Sequence, residues 1–156
     1  MKWAEYQGNI IKRLIACDKA LNFHWDADGF IYVADNFTIF RVPEFFWHIW
    51  IDDTRTVPEN YLNKFIANAE LYSMHKYEPM IPRDVLLINK NPVQVFEIPS
   101  SGERVRVNTK LYSKYTEKAD QLTFWGLDRK TPVIAIHGET WDNDNIAFMV
   151  LPINYT

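Results

Sequence analysis

The chain has 156 residues, of which 47% are hydrophobic, 15% aromatic and 24% charged. This composition excludes a disordered or collagen-like protein, and the length fits one domain spanning residues 1–156. The formal net charge at pH 7 is −3, so no chain-wide basic field attracts nucleic acid, and charge-driven binding would require a local patch.

The compartment is indicated by cysteine usage and by apolar run length. Cys17 is the single cysteine, so neither an intrachain disulfide nor a cysteine metal cluster can form. The longest apolar run, residues 45–51, is far shorter than a membrane-spanning helix, and the charged start of the chain does not resemble a signal peptide. We therefore expect a cytoplasmic protein with no membrane partner.

The first unit, about residues 8–43, predicts a helix followed by three short strands. Apolar residues recur at helical spacing over residues 9–20. Turn signals at residues 26–29 and 35–36 then separate three apolar runs, the last of which ends at Pro43.

The second unit, about residues 85–153, repeats this order after a hairpin and one alternating strand. Asn108 is a predicted N-cap for a helix that ends near Leu122, and three strands then lead to Pro152. Leu21 and Leu122 are 101 residues apart, as are Phe23 and Phe124. The repeated order and spacing indicate an internal duplication.

Residues 44–84 lie between the two units and predict a helical insertion, with a helix at about 58–69. This region begins with the densest aromatic stretch of the chain, which includes Phe45, Trp47 and Trp50. Two interpretations remain open: these side chains fill the core under the helix, or they form an exposed patch that docks a partner. The fold class expected from the whole pattern is α+β.

The segment from residues 105–112 through residues 147–153 resembles the closing motif of a domain of the DNA polymerase sliding clamp family, of the bacterial beta-clamp type, and residues 10–43 resemble the opening half of the same domain. In that family a strand leads into an Asn-started helix, three strands follow, and the chain ends in a hydrophobic-Pro-hydrophobic tail. The resemblance implies a DNA-clamp-like domain in which two helix-plus-antiparallel-strand units form one sheet-dominated structure. The chain holds one such domain where clamp subunits hold two or three, so a ring would require a homo-oligomer.

The resemblance also implies two sets of binding residues. The helices would face double-stranded DNA and contact its backbone without sequence specificity. The six cations in the corresponding positions are Lys12, Arg13, Lys19, Lys110, Lys114 and Lys118. The tail would form half of a groove for peptides of replication proteins, through Met149, Leu151, Pro152 and Ile153.

No sequence motif indicates catalysis. The five glycines are isolated from each other, the histidines show no metal-ligand spacing, and no serine or cysteine lies in a nucleophile context. We therefore expect a non-enzymatic protein without cofactor or metal. The first hypothesis is a clamp-like binding protein, either a processivity factor or a mimic acting on replication proteins. The alternative is a protein–protein interaction module that uses the aromatic insertion and has no DNA role.

Overall fold

The structure is a computed structural model that describes residues 22–25, 29–34, 37–43, 76–113 and 121–153. These residues form two antiparallel sheets. Their strands are β1 (Asn22–Trp25), β2 (Phe30–Ala34), β3 (Thr38–Pro43), β4 (Glu78–Pro79), β5 (Ile81–Ile88), β6 (Asn91–Glu97), β7 (Arg104–Asn108), β8 (Leu122–Gly126), β9 (Val133–His137) and β10 (Ile146–Val150).

The larger sheet consists of two three-stranded meanders joined side by side, with strand order β1-β2-β3-β10-β9-β8-β4. The third strand of each meander pairs with the other, so Phe40 lies opposite Phe148 and Ile39 opposite Met149. The three-strand runs predicted before Pro43 and before Pro152 are confirmed as these two meanders. The smaller sheet has the order β5-β6-β7.

Local turn chemistry explains the confirmed strand boundaries. Asn89 and Lys90 connect β5 to β6 with φ angles of 50° and 65°, and a two-residue loop with both residues at positive φ matches the twist of the flanking strands. Between β8 and β9, the Asp128 carboxylate accepts hydrogen bonds from the backbone N–H groups of Lys130 and Thr131, each at 2.8 Å. Such side-chain-to-backbone bonds are typical of aspartate in turns.

The larger sheet is buried on both faces. On one face, Phe40, Val42 and Phe148 pack in a cluster with Phe96 and Val105 of the smaller sheet. The opposite face carries a second cluster, whose buried members are Ile39, Tyr77, Ile134, Ile136, Ile146 and Met149. The smaller sheet therefore covers one side of the larger one, and its remaining face is directed away from the first cluster.

The expected α+β fold class, with helix-plus-strand units and a helical insertion, is wrong for the residues that the structure describes. Within them strands dominate, the two helices are the three-residue 3-10 helices Thr109–Leu111 and Asn143–Asn145, and no helix reaches seven residues. The described end of the expected helical insertion forms β4 and the start of β5. Two sheets also replace the single one that was expected.

The short helix after β7 begins at the residue that the sequence predicted. Asn108 does act as the N-cap, since its Oδ1 accepts from Lys110 N–H at 3.0 Å. Tyr112 then leaves helical geometry at φ −141°, and its ring packs against Phe124 and Phe148. Core packing by this aromatic ring therefore accompanies a local break in helical geometry at Tyr112, and Ser113 is helical again. The helices predicted at residues 9–20 and 58–69, and residues 114–120 of the third, lie outside the described residues.

In the described part of the chain, no helix is long and apolar enough to cross a membrane.

Candidate interaction surface

Lys110 is the predicted DNA-contacting cation that the structure describes. It lies in the 3-10 helix Thr109–Leu111 and its side chain is exposed. Lys12, Arg13, Lys19, Lys114 and Lys118 lie outside the described residues. The structure therefore does not bring the six cations together, and DNA contact by this set stays a prediction.

The predicted partner-binding tail connects the two sheets. Met149 is a buried member of β10, whereas Leu151 is exposed. Leu151 donates its N–H to Phe37 O in the larger sheet, and Ile153 donates its N–H to Arg106 O in the smaller one, each at 2.8 Å. Pro152 between them is buried. The tail backbone is therefore hydrogen-bonded at both ends, and its role in the fold is structural.

The aromatic residues Phe45, Trp47 and Trp50, which were the other predicted partner-binding group, lie outside the described residues.

An apolar surface that was not predicted lies along β5. This strand is the terminal strand of the smaller sheet, and in the described structure its outer edge pairs with no other strand. Four of its apolar side chains are exposed to solvent: Ile81 by 40%, Val85 by 59%, Leu86 by 40% and Leu87 by 79%. We call this set of side chains, with the backbone edge that carries them, the β5 edge.

A bulge divides the side chains of the β5 edge between two faces. Pro82 lies opposite Phe96 and Val85 opposite Gln94, so one extra β5 residue is accommodated between these pairs. The Gln94 side-chain amide holds the bulge, since its Nε2 donates to Arg83 O at 2.8 Å. Because of the extra residue, Arg83 and Asp84 both lie towards the outer face of the smaller sheet.

The strand register shows on which face each of the remaining β5 side chains lies. Ile81 lies opposite Glu97 and Leu86 opposite Val93, which places both on the outer face, away from the larger sheet. Pro82 and Val85 belong to the inner face, which carries the buried Phe96. The outer face of β5 therefore has the order apolar, cation, anion, apolar.

The outer face is charged beside the exposed leucines. Glu97 accepts a hydrogen bond from Arg83 Nη2 at 2.5 Å, and its other carboxylate oxygen lies 3.4 Å from Arg104 Nη2. The hydrogen bond from Arg83 holds the pKa of Glu97 below its usual range. Glu97 is therefore ionised at neutral pH and neutralises part of the positive charge of this face.

An open groove of about 230 Å³ runs beside the β5 edge on this outer face. Its lining residues come from all three strands of the smaller sheet and are Asp84, Leu86, Val95, Arg104 and Arg106. The groove combines an apolar floor with charges of both signs, which suits the side chains of an added polypeptide strand. Within the described residues, no group of three His, Cys, Asp or Glu side chains has metal-binding geometry.

The sequence contained part of the signal for the β5 edge. Residues 85–88 were predicted as one strand of a hairpin, and that hairpin is confirmed. Four consecutive apolar residues, Val85–Ile88, break the apolar–polar alternation of a half-buried strand and suit a strand with both faces covered. Strand order is a long-range property, so the sequence did not indicate that this strand lies at an open edge.

We compared the chain with protein-family models, with curated proteins and with solved structures, and none of the three comparisons produced a match. The resemblance to the sliding clamp family therefore rests on the residues that carry it, and no family membership is assigned.

Proposed function

We propose that the protein is a non-enzymatic binding protein that acts by adding a polypeptide strand to the β5 edge. The observation that carries this proposal is an open edge strand with four exposed apolar side chains. An unpaired edge presents backbone N–H and C=O groups to a further strand, and natural proteins usually protect such edges. At the β5 edge, Pro82 lacks one N–H donor and the bulge interrupts the alternation of side chains, but the apolar run Val85–Ile88 carries no charge that would disfavour an added strand.

The charged groove supports the same function. A strand added beside β5 would place alternate side chains on the outer face next to Asp84 and Leu86, which border the groove, while Arg104 and Arg106 lie two strands further in. Backbone pairing would supply affinity, and the groove would select the side chains of the partner. This is the protein–protein interaction class that the sequence left open, with a different surface from the aromatic insertion. The role in DNA replication stays a prediction.

Peptide display tests this proposal directly. Peptides selected on the immobilised protein from a random library are expected to bind the unmodified chain and to lose binding to Leu87→Lys, because a lysine there charges the edge. The matched control is Phe37→Lys, which changes an apolar residue that is 55% exposed in the larger sheet. Peptides that bind all three proteins equally would contradict the proposal, and so would a selection that yields no binder.

A further inference from the structure

We infer that the strand added to the β5 edge is β5 of a second copy of this chain, which pairs antiparallel about a twofold axis between Arg83 and Asp84. This inference rests on the proposed function, because it names the occupant of the same surface. The two smaller sheets would then form one continuous sheet across the dimer, with the strand order β7-β6-β5-β5-β6-β7.

The distribution of side chains between the two faces selects this register. Directly opposed residues in an antiparallel pair lie on the same face of the sheet. With the axis between Arg83 and Asp84, Ile81 opposes Leu86 on the outer face and Pro82 opposes Val85 on the inner face. If the axis passed through residue 83 or through residue 84 instead, inner-face residues would lie opposite outer-face ones, because the bulge interrupts the alternation.

Charge selects the same register independently. In the proposed pairing each Arg83 lies opposite Asp84 of the second copy, so two opposite-charge pairs form across the axis. Centring the axis on residue 83 would oppose two arginines, and centring it on residue 84 would oppose two aspartates. Like charges directly opposed across strands are destabilising, so both alternatives are disfavoured.

The twofold arrangement also covers the β5 side of the groove. Asp84 and Leu86 line it, and their partners in this register are Arg83 and Ile81 of the second copy. Ile81 and Leu86 are each 40% exposed in the single chain and would cover each other. An isologous contact of this kind uses one self-complementary patch twice and closes as a dimer.

The test is the mass of the full chain in solution, measured by light scattering or sedimentation equilibrium over a range of concentrations. A concentration-dependent dimer with twice the 18.5 kDa mass of one chain is expected. Arg83→Asp and Asp84→Arg should each weaken dimerisation by about tenfold, because each creates two like-charge pairs. The double variant Arg83→Asp/Asp84→Arg restores opposite charges across the axis and should recover most of the affinity.

Arg129→Asp is the matched control, because Arg129 also lies close to a glutamate, Glu103, but is between β8 and β9 and does not line the groove. It should leave dimerisation unchanged. Thermal unfolding of every variant checks that it folds. If Arg83→Asp does not fold, Arg83→Glu is used in its place, alone and combined with Asp84→Arg, for the same comparison. Equal loss in both single variants and the double variant would overturn the register, and a dimer indifferent to all of them would overturn the inference.

The failure of this inference is distinguishable from the failure of the proposed function. A chain that stays monomeric at all concentrations, but binds displayed peptides in a Leu87-dependent manner, overturns the second-copy inference and leaves the proposed function standing. A monomer that also selects no such peptide overturns both.

Discussion

Lys90 adopts a backbone conformation that costs free energy for any residue with a Cβ. Its φ of 65° lies in the left-handed region, where glycine is unstrained. We expect Lys90→Gly to raise the free energy of unfolding by about 1 kcal/mol, because the second position of this turn favours glycine. Denaturant unfolding of both proteins measures the difference.

The control for this substitution is Lys130→Gly. Lys130 also lies in an exposed hairpin connection, but its φ is not positive. Glycine there adds only unfolded-state entropy, so the variant should be neutral or less stable than the unmodified chain. Equal stabilisation by both substitutions would show that the turn conformation is not the cause.

Tyr112 should make the stability of the fold depend on alkaline pH. Burial raises the pKa of its phenol well above the usual value near 10. The folded chain keeps the proton that the unfolded chain loses, so stability is complete below about pH 10 and falls above it, by up to about 1.4 kcal/mol per pH unit.

Comparison with Tyr112→Phe isolates this contribution. The other tyrosines and the lysines titrate in both proteins, so the difference between the two unfolding midpoints reports Tyr112. We expect that difference to change steadily in favour of the phenylalanine variant between pH 9 and pH 11, a window set by the usual tyrosine pKa of about 10. Parallel pH profiles would show that the phenol does not lose its proton on unfolding.

Arg41 shows what sequence reasoning misses at the level of single residues. A cation in a predicted strand is normally placed on the solvent side, yet this side chain is 6% exposed. Its Nε donates to Ile146 O at 3.0 Å, and its guanidinium lies 4.0 Å from the centre of the Phe30 ring. Phe30 lies on the adjacent strand β2, but the bond to Ile146 spans 105 residues, so the local pattern contains no sign of it.

At the level of elements, β10 connects the two meanders and carries the centre of the core. The Phe148 ring lies 5.7 Å from that of Phe40, 5.8 Å from Tyr112 and 6.1 Å from Phe124, measured between ring centroids. Phe148 is fully buried, and all five residues of β10 are buried. A cavity at this position would therefore weaken both sheets together.

We expect Phe148→Ala to lower the free energy of unfolding by about 3–5 kcal/mol, the usual cost of a large aromatic truncation in a core. Phe37→Ala, at a site that is 55% exposed, should change it by less than about 1 kcal/mol. Denaturant unfolding followed by tryptophan fluorescence measures both. A small effect at Phe148 would show that the cluster collapses to fill the space.

Elements fixed by local chemistry were predictable, and those fixed by distant partners were not. The Asn89–Lys90 turn and the alternating strand at residues 104–107 follow from short-range patterns, and both are confirmed. The predicted N-cap at Asn108 is confirmed, but the departure from helical geometry at Tyr112 was missed, because its ring packs on strands that come later in the chain. The position of β5 at the edge of the smaller sheet was also missed, because strand order depends on residues that are far apart in the chain.

The architecture of the whole molecule was partly visible in the sequence. The 101-residue spacing of Phe23 and Phe124 matches their places in β1 and β8, the first strands of the two meanders. The spacing could not show that the meanders join through their last strands. It also could not show that a separate three-stranded sheet packs on the larger sheet. The helices were predicted from the spacing of apolar residues, and the clamp resemblance favoured two helix-plus-strand units because it carried over a topology from short motifs.

The joining of β3 to β10 has a consequence for synthesis on the ribosome. Arg41 and Ile146, which bond across this junction, are 105 residues apart in the chain. At a translation rate of about 5–20 residues per second, β3 emerges roughly 5–20 seconds before the strand that covers its open side. During that interval the first meander exposes a newly made apolar strand edge, so this protein is more vulnerable to aggregation while it is being made than after it has folded.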